Sequence, residues 1–228
     1  MITMTNVYKT YANGVQAANG ITVKIKQGEF VYVVGPSGAG KSTFTKMMYR
    51  EEKPTTGSIN VNGLSLETLH ERDIPYFRRQ IGVIFQNFRL LPKLTVHENV
   101  AFALEVIEEK REVIEKRVAE VLKLVRLDDK ADSLPNQLSG GEQQRVAIAR
   151  AIVNEPKVVI ADEPTGNLDM DTAWEIMDIF KEINSQGTTI IMATHNAEIV
   201  DTIRHRVLAI EGGKIVRDEV EGGYGYES

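Results

Sequence analysis

The stretch Phe30-Val31-Tyr32-Val33-Val34-Gly35-Pro36-Ser37-Gly38-Ala39-Gly40-Lys41-Ser42-Thr43 decides how the rest of the chain is read. A β-branched apolar run stops at glycines, and the segment from Thr43 to Arg50 reads as helix, so strand, loop and helix follow in the order a phosphate loop requires. Wrapping a polyphosphate in backbone needs consecutive inward N–H groups, which Gly35, Gly38 and Gly40 permit where bulkier residues would block the approach. Lys41 is then expected at the β- and γ-phosphates and the Ser42 hydroxyl on Mg²⁺, with the positive end of the helix behind them. The loop points to a nucleotide and leaves the task open.

Working outward, Ile2–Val7 and Ile21–Ile25 alternate apolar and polar residues about the turn Ala12-Asn13-Gly14, which predicts an antiparallel edge. Tyr11 opens that turn, either as a packed strand-end aromatic or as a platform for an adenine ring. Ser58–Val61 reads as a short strand and Ile81–Phe85 as a buried one ending at Gln86. Composition then changes. Thr95-Val96-His97-Glu98 is a capping box opening a helix, and a second helix from about Glu112 to Val125 puts Val113, Ile114, Val118, Val121, Leu122 and Val125 on one face. Residues 88–138 are therefore expected to form an all-helical insertion in an α/β framework.

Ser139-Gly140-Gly141-Glu142 is another capping box, and its helix ends before Pro156. Val158–Ala161 reads as a buried parallel strand that delivers Asp162-Glu163 at its carboxyl end. Asp162 is placed to hold Mg²⁺ through water and Glu163 to deprotonate an attacking water. Thr188–Ala193 is the next buried strand, ending near His195, and Arg206–Ile210 with Lys214–Arg217 form a closing hairpin. For the tail from Gly222 to Tyr226, flexibility and docking on a partner are both open.

Composition narrows the task. A net charge of −5 among 228 residues argues against non-specific nucleic-acid binding, and the absence of cysteine excludes disulfides, thiolate metal sites and cysteine nucleophiles. No run approaches the ~20 apolar residues of a membrane span, and the N-terminus lacks a signal-peptide pattern. A cytoplasmic protein is expected, held at a membrane only by another protein.

The octet Leu138-Ser139-Gly140-Gly141-Glu142-Gln143-Gln144-Arg145 resembles the signature of ATP-binding cassette (ABC) ATPases, and the resemblance extends over nearly the whole chain. Gly35, Pro36, Ser37, Gly38, Ala39, Gly40, Lys41, Ser42 and Thr43 match the Walker A motif, Gln86 the Q-loop, Val158–Glu163 the Walker B motif, Asp169 the D-loop and His195 the H-loop. The family implies one domain over residues 1–228. It comprises a P-loop NTPase core of RecA-like type with an antiparallel β subdomain (1–87 and 139–228) and an all-helical subdomain at about 88–138. It also implies Lys41, Glu163 and His195 as catalytic groups, Ser42, Gln86 and Asp162 around Mg²⁺, and Tyr11 stacked on adenine. Ser139, Gly140 and Gly141 would reach ATP held by a second copy, so a homodimer on ATP binding is implied.

Ala161–Asp169 is similar to the branch of the family that holds lipoprotein-release, macrolide-efflux and cell-division ATPases, and Ile84–Pro92 with Thr95–Phe102 looks most like its cell-division members. That likeness implies a polytopic, permease-like membrane partner and, through it, a cell-wall hydrolase, with Phe88, Arg89, Leu90, Leu91 and Pro92 as candidates for the docking surface. Efflux or lipoprotein release, and a nucleotide-dependent scaffold with little turnover, are the alternatives. Asn87, Asn196 and Met170 depart from residues common in this branch without removing a catalytic group.

Overall fold

The computed structural model describes residues 2–225. The chain runs β1 (Ile2–Thr10), β2 (Gln16–Ile25), β3 (Phe30–Val34), α1 (Lys41–Met48), β4 (Thr56–Val61), β5 (Leu64–Ser65), α2 (Ile74–Arg78), β6 (Ile81–Ile84), α3 (Val96–Glu105), α4 (Arg111–Leu124), α5 (Gly140–Ile152), β7 (Val158–Asp162), α6 (Met170–Ser185), β8 (Thr189–Ala193), α7 (Ala197–Thr202), β9 (Arg206–Glu211) and β10 (Lys214–Glu219). The strands form two sheets, a four-stranded antiparallel one in the order β2-β1-β4-β5 and a six-stranded one in the order β10-β9-β3-β8-β7-β6. Within the larger sheet β6, β7, β8, β3 and β9 are parallel and β10 closes the edge antiparallel.

All five residues of β3 and of β8 are buried, because the large sheet is covered on both faces. Alternation along each strand divides the core in two. Tyr32, Val159, Met192 and Val207 point to the face packed by α3, α5, α6 and α7, whereas Val31, Ile160, Ile191 and Leu208 point to α1 and the antiparallel sheet. In α6, Ile176, Met177, Phe180 and Ile183 make the buried stripe.

Three local details differ from the sequence reading. In β1 the alternation slips at Asn6 (φ 49°), where a bulge lets Val7 rather than Asn6 take the buried position after Met4. Val113 is 39% exposed, off the face that buries Ile114, Val118, Val121 and Leu122. The short helices α2, with Pro75 in its first turn, and α7 were not anticipated. The tail up to Gly225 is docked, and Tyr226 lies outside the described residues.

The loop leading into α3 hangs on one side chain. Asn99 is fully buried; its Oδ1 accepts from the Leu91 N–H at 2.8 Å, and its Nδ2 lies 3.1, 2.9 and 3.0 Å from the carbonyls of Leu91, Leu94 and Thr95. Asn99→Ala leaves these groups without their partner in the interior, where each costs about 1–3 kcal/mol. The expected result is a loss of at least about 1 kcal/mol in urea denaturation; an unchanged midpoint would refute this role.

His205 stacks on Phe30 at 4.3 Å between ring centroids, and its Nε2 is buried without a hydrogen-bond partner. Burial holds its pKa below the usual histidine range, Lys181 pushes the same way and Glu221 opposes. The unfolded chain therefore binds a proton that the folded chain resists. This contribution to stability is complete above the ordinary value near 6.5 and is lost as pH falls through that value towards the folded one. Lowering pH from about 7.5 to 5.5 is expected to reduce the urea midpoint, and His205→Phe to remove part of that drop; replacing the exposed His70 by Gln should not.

Candidate functional site

The carboxyl ends of β3, β7 and β8 meet at one edge of the large sheet, where a parallel sheet places its ligands. A cleft of ≈ 490 Å³ opens there. Into it converge Lys41 and Ser42 from the glycine loop, Gln86 after β6, Asp162 and Glu163 from β7, and His195 after β8.

The glycine loop is shaped by its neighbours as well as by its own sequence. A Cβ on Gly35 (φ 143°) would lie 2.1 Å from the Ile210 carbonyl oxygen, and one on Gly40 (φ 107°) 2.3 Å from that of Ala17. Both positions therefore demand glycine. Gly38 (φ 77°) has nothing within 4 Å of such an atom and faces open space. α1 starts with no side-chain cap on its first-turn N–H groups, leaving them for an anion. Lys41 Nζ, bound to the carbonyls of Gly35 and Pro36 at 2.7 and 3.0 Å, is folded back over the loop it would serve. This cradle fits a polyphosphate.

At the acidic side, Ser42 and Asp162 both line the cleft. Burial raises the Asp162 pKa and the charge of Glu163 adds to the rise, while Ser42, Lys46 and Lys41 oppose it. A hydroxyl, a carboxylate and the Gln86 amide form an all-oxygen donor set, which suits a hard cation completed by phosphate and water. Among the described residues no cluster of three or more His, Cys, Asp or Glu could hold a metal by itself. Mg²⁺ arriving with a nucleotide fits these residues.

Glu163 has left-handed backbone (φ 50°), and its N–H donates to the Ala193 carbonyl at 2.9 Å. That geometry turns its side chain across to β8, where Oε2 lies 2.8 Å from His195 Nδ1 and accepts from the His195 N–H at 3.2 Å. At the opposite end, the Tyr11 hydroxyl lies 3.0 Å from Thr43 Oγ1 and Lys9 Nζ sits 4.9 Å from the ring centroid.

Several expected site residues lie elsewhere. Ala39 sits on the glycine loop but buries its side chain in the core, its N–H bonded to the Pro36 carbonyl. Ser139, Gly140 and Gly141 are outside the cleft: the Ser139 hydroxyl accepts from the Glu142 N–H at 3.2 Å, and the Glu142 carboxylate accepts from the Ser139 N–H at 2.7 Å. Asp169 is also outside, capping α6 through the N–H and hydroxyl of Thr172 at 2.9 and 2.7 Å. Conversely Val15, Ala17 and Tyr224 line the cleft and were not anticipated. A larger cavity of ≈ 800 Å³, around Arg117, Glu155, Glu182 and Gln186, lies at the other end of the sheet and has no phosphate loop.

Comparison with known proteins agrees with this arrangement. The cell division ATP-binding protein FtsE of Bacillus subtilis is 68% identical over 225 residues, covering 99% of each chain, and that of Escherichia coli K12 is 44% identical over 227 residues, covering 100% of each. A dimeric post-hydrolysis structure of the ATP-binding cassette MJ0796 bound to ADP and Pi superposes with a TM-score of 0.87 at 38% identity, over 98% of this chain and 100% of that one. The ABC transporter family model matches residues 18–166, and the chain belongs to that family.

Proposed function

We propose that the chain is the ATP-binding and ATP-hydrolysing subunit of a cell-division ABC complex. The observation that carries the reading is the convergence of Lys41, Ser42, Gln86, Asp162, Glu163 and His195, from four separate chain segments, on a single glycine-cradled cleft. As a working division, residues 1–228 form one cassette, with the helical part at about 88–138.

In this reading Tyr11 stacks on adenine, the loop N–H groups and Lys41 hold the β- and γ-phosphates, and Ser42, Gln86 and Asp162 would hold Mg²⁺. The ion, when bound, would neutralise phosphate charge. Glu163 accepts a proton from water as it attacks the γ-phosphorus, the bond to ADP breaks, and phosphate leaves. His195, already aligned on the Glu163 carboxylate, contacts the γ-phosphate. Ser139, Gly140, Gly141 and Asp169 lie outside their own chain's cleft, so they are assigned to ATP bound by a second copy in a head-to-tail homodimer.

The division role rests on the FtsE relatives. A membrane partner of the FtsX type, polytopic and acting on a cell-wall hydrolase outside, would hold the chain at the inner face of the membrane. No helix among the described residues is long and apolar enough to cross a membrane itself. The groove beside the Phe88–Pro92 loop supports docking there: Phe85, Leu91 and Phe102 offer apolar surface beside Arg79, Arg150 and Asn154. Leu90 instead packs on the core.

Two experiments test the reading. Glu163→Gln should lower steady-state phosphate release at least about 100-fold, and at saturating MgATP should shift the species in light scattering to twice the monomer mass. In cells it should give chained or misshapen cells. Phosphate release equal to the parent, or a monomer under MgATP, would overturn the mechanism; drug sensitivity with normal septa would point to export. Tyr11→Ala should raise the Kd for ATP about 10-fold, in line with roughly 1–3 kcal/mol for base–aromatic stacking. Tyr11→Phe should bind like the parent, and equal affinities for Ala and Phe would remove the stacking role.

A further inference from the structure

The chain after β10 does not wander off the surface. Gly222 and Gly223 are buried, and a Cβ on Gly222 would come within 3.1 Å of Val207 Cβ and 3.0 Å of Glu219 Cβ, so the tail presses against the edge hairpin. One guanidinium clamps it. Arg217, whose side chain is 8% exposed, donates to the carbonyls of Gly223, Tyr224 and Gly225 at 2.9, 2.8 and 2.7 Å. Three acceptors in consecutive residues fix a short stretch of backbone that has no ladder of its own.

A second anchor ties the same stretch to the catalytic edge. The Tyr224 N–H donates to Asp201 Oδ1 at 2.6 Å, and Asp201 belongs to α7, which begins two residues after His195. The Asn196 side chain caps that helix by accepting from the Ile199 N–H at 3.1 Å, so the turn bearing His195, the helix and the tail form one hydrogen-bonded unit. The Tyr224 side chain is half-buried, packs against the core, and lines the cleft together with Glu163, His195 and Pro36.

The His195 side chain is 60% exposed and held on one side by Glu163, so its orientation depends on what borders it elsewhere. A phenol ring is large and has few rotamers, which makes it an effective wall. We propose that Tyr224 is a positioning residue for ATP hydrolysis: set by Arg217 and Asp201, its ring walls the His195 end of the cleft and keeps the imidazole aligned with Glu163. The proposal rests on the ATPase reading above. The ring, rather than the hydroxyl, does the positioning, and the effect belongs to turnover rather than to nucleotide affinity, because the ring acts through His195 and Glu163, whereas the adenine is assigned to Tyr11.

The full-length chain carrying Tyr224→Ala, Tyr224→Phe or, as a tail control, Val220→Ala at a site 83% exposed, is assayed for steady-state MgATP hydrolysis, thermal melting and the ¹H–¹³C signal of the His195 imidazole. Tyr224→Ala is expected to lower kcat at least about 10-fold with KM within about two-fold, since small misplacements of reacting groups cost this much or more. The His195 signal should move in Tyr224→Ala, and Tyr224→Phe and Val220→Ala should match the parent in both readouts. A kcat within two-fold of the parent, a loss confined to KM, or an unmoved His195 signal overturns the proposal. If Tyr224→Ala melts below the assay temperature, Asp201→Ala, which keeps the ring and removes its anchor, must lower kcat and move the His195 signal, or the proposal falls. A parent that releases no phosphate, or a Glu163→Gln chain as fast as the parent, sinks the ATPase reading instead; the His195 signal still judges the placement of Tyr224.

Discussion

The structure depends on a backbone contact with no room in it. The phosphate loop is wedged between two sheets, its first glycine against the carbonyl of Ile210 in β9 and its last against the carbonyl of Ala17 in β2. Neither contact tolerates a Cβ, and the loop is tied further by the Gly213 N–H donating to the Ala39 carbonyl at 3.0 Å. Rigid backbone dipoles aimed at one point stabilise charge without reorganising, which is what a phosphate site needs. The antiparallel sheet is therefore more than a cover for the hydrophobic face. It is the second jaw that gives the loop its shape, and it also carries Tyr11 at the end of β1.

Much of this was legible in the residues, and the failures have physical causes. β3, β7 and β8 announced themselves because strands buried on both faces must be apolar throughout, and the acids and histidine at their ends were placed by chain direction alone. The capping boxes at Thr95 and Ser139 formed as the residue spacing requires, since each needs only local contacts. The bulge at Asn6 was not legible, because it is set by pairing with β2 and β4 across the sheet. Ala17 and Tyr224 were missed as cleft residues for the same reason: they are brought to the loop by topology, from near the two ends of the chain, and neither carries a local signal. Ala39 was expected at the site because its motif is, but its side chain turns into the core, while those of Pro36 and Ser37 on the same loop are exposed at the cleft.

The signature segment presents a different kind of constraint. Gly141 packs so closely on Thr172 that a Cβ there would meet the threonine methyl at 2.4 Å, and Thr172 is bonded through both its N–H and its hydroxyl to Asp169. The start of α5 and the start of α6 are thus joined within one chain, so Ser139, Gly140, Gly141 and Asp169 form one face outside the cleft. Groups assembled this rigidly away from their own nucleotide site make sense as a surface offered to another copy.

The same helix connects that face to the inside of the molecule. α5 runs from Gly140 to Ile152, about 20 Å of rigid rod at 1.5 Å per residue. Near its far end Arg150 donates to the carbonyls of Arg89 and Phe88 at 2.7 and 2.9 Å. Phe88 and Arg89 are consecutive left-handed residues (φ 45° and 51°), a conformation that costs free energy and persists because the surroundings hold it. Two residues before them is Gln86, in the cleft. The bend is also held locally, by the Phe88 N–H donating to the Phe85 carbonyl at 3.2 Å and by the Arg89 guanidinium 3.7 Å from the Phe85 ring centroid. The outer face and the Gln86 side of the cleft are thus joined through one helix and the two hydrogen bonds of Arg150, which also lines the groove proposed for the membrane partner.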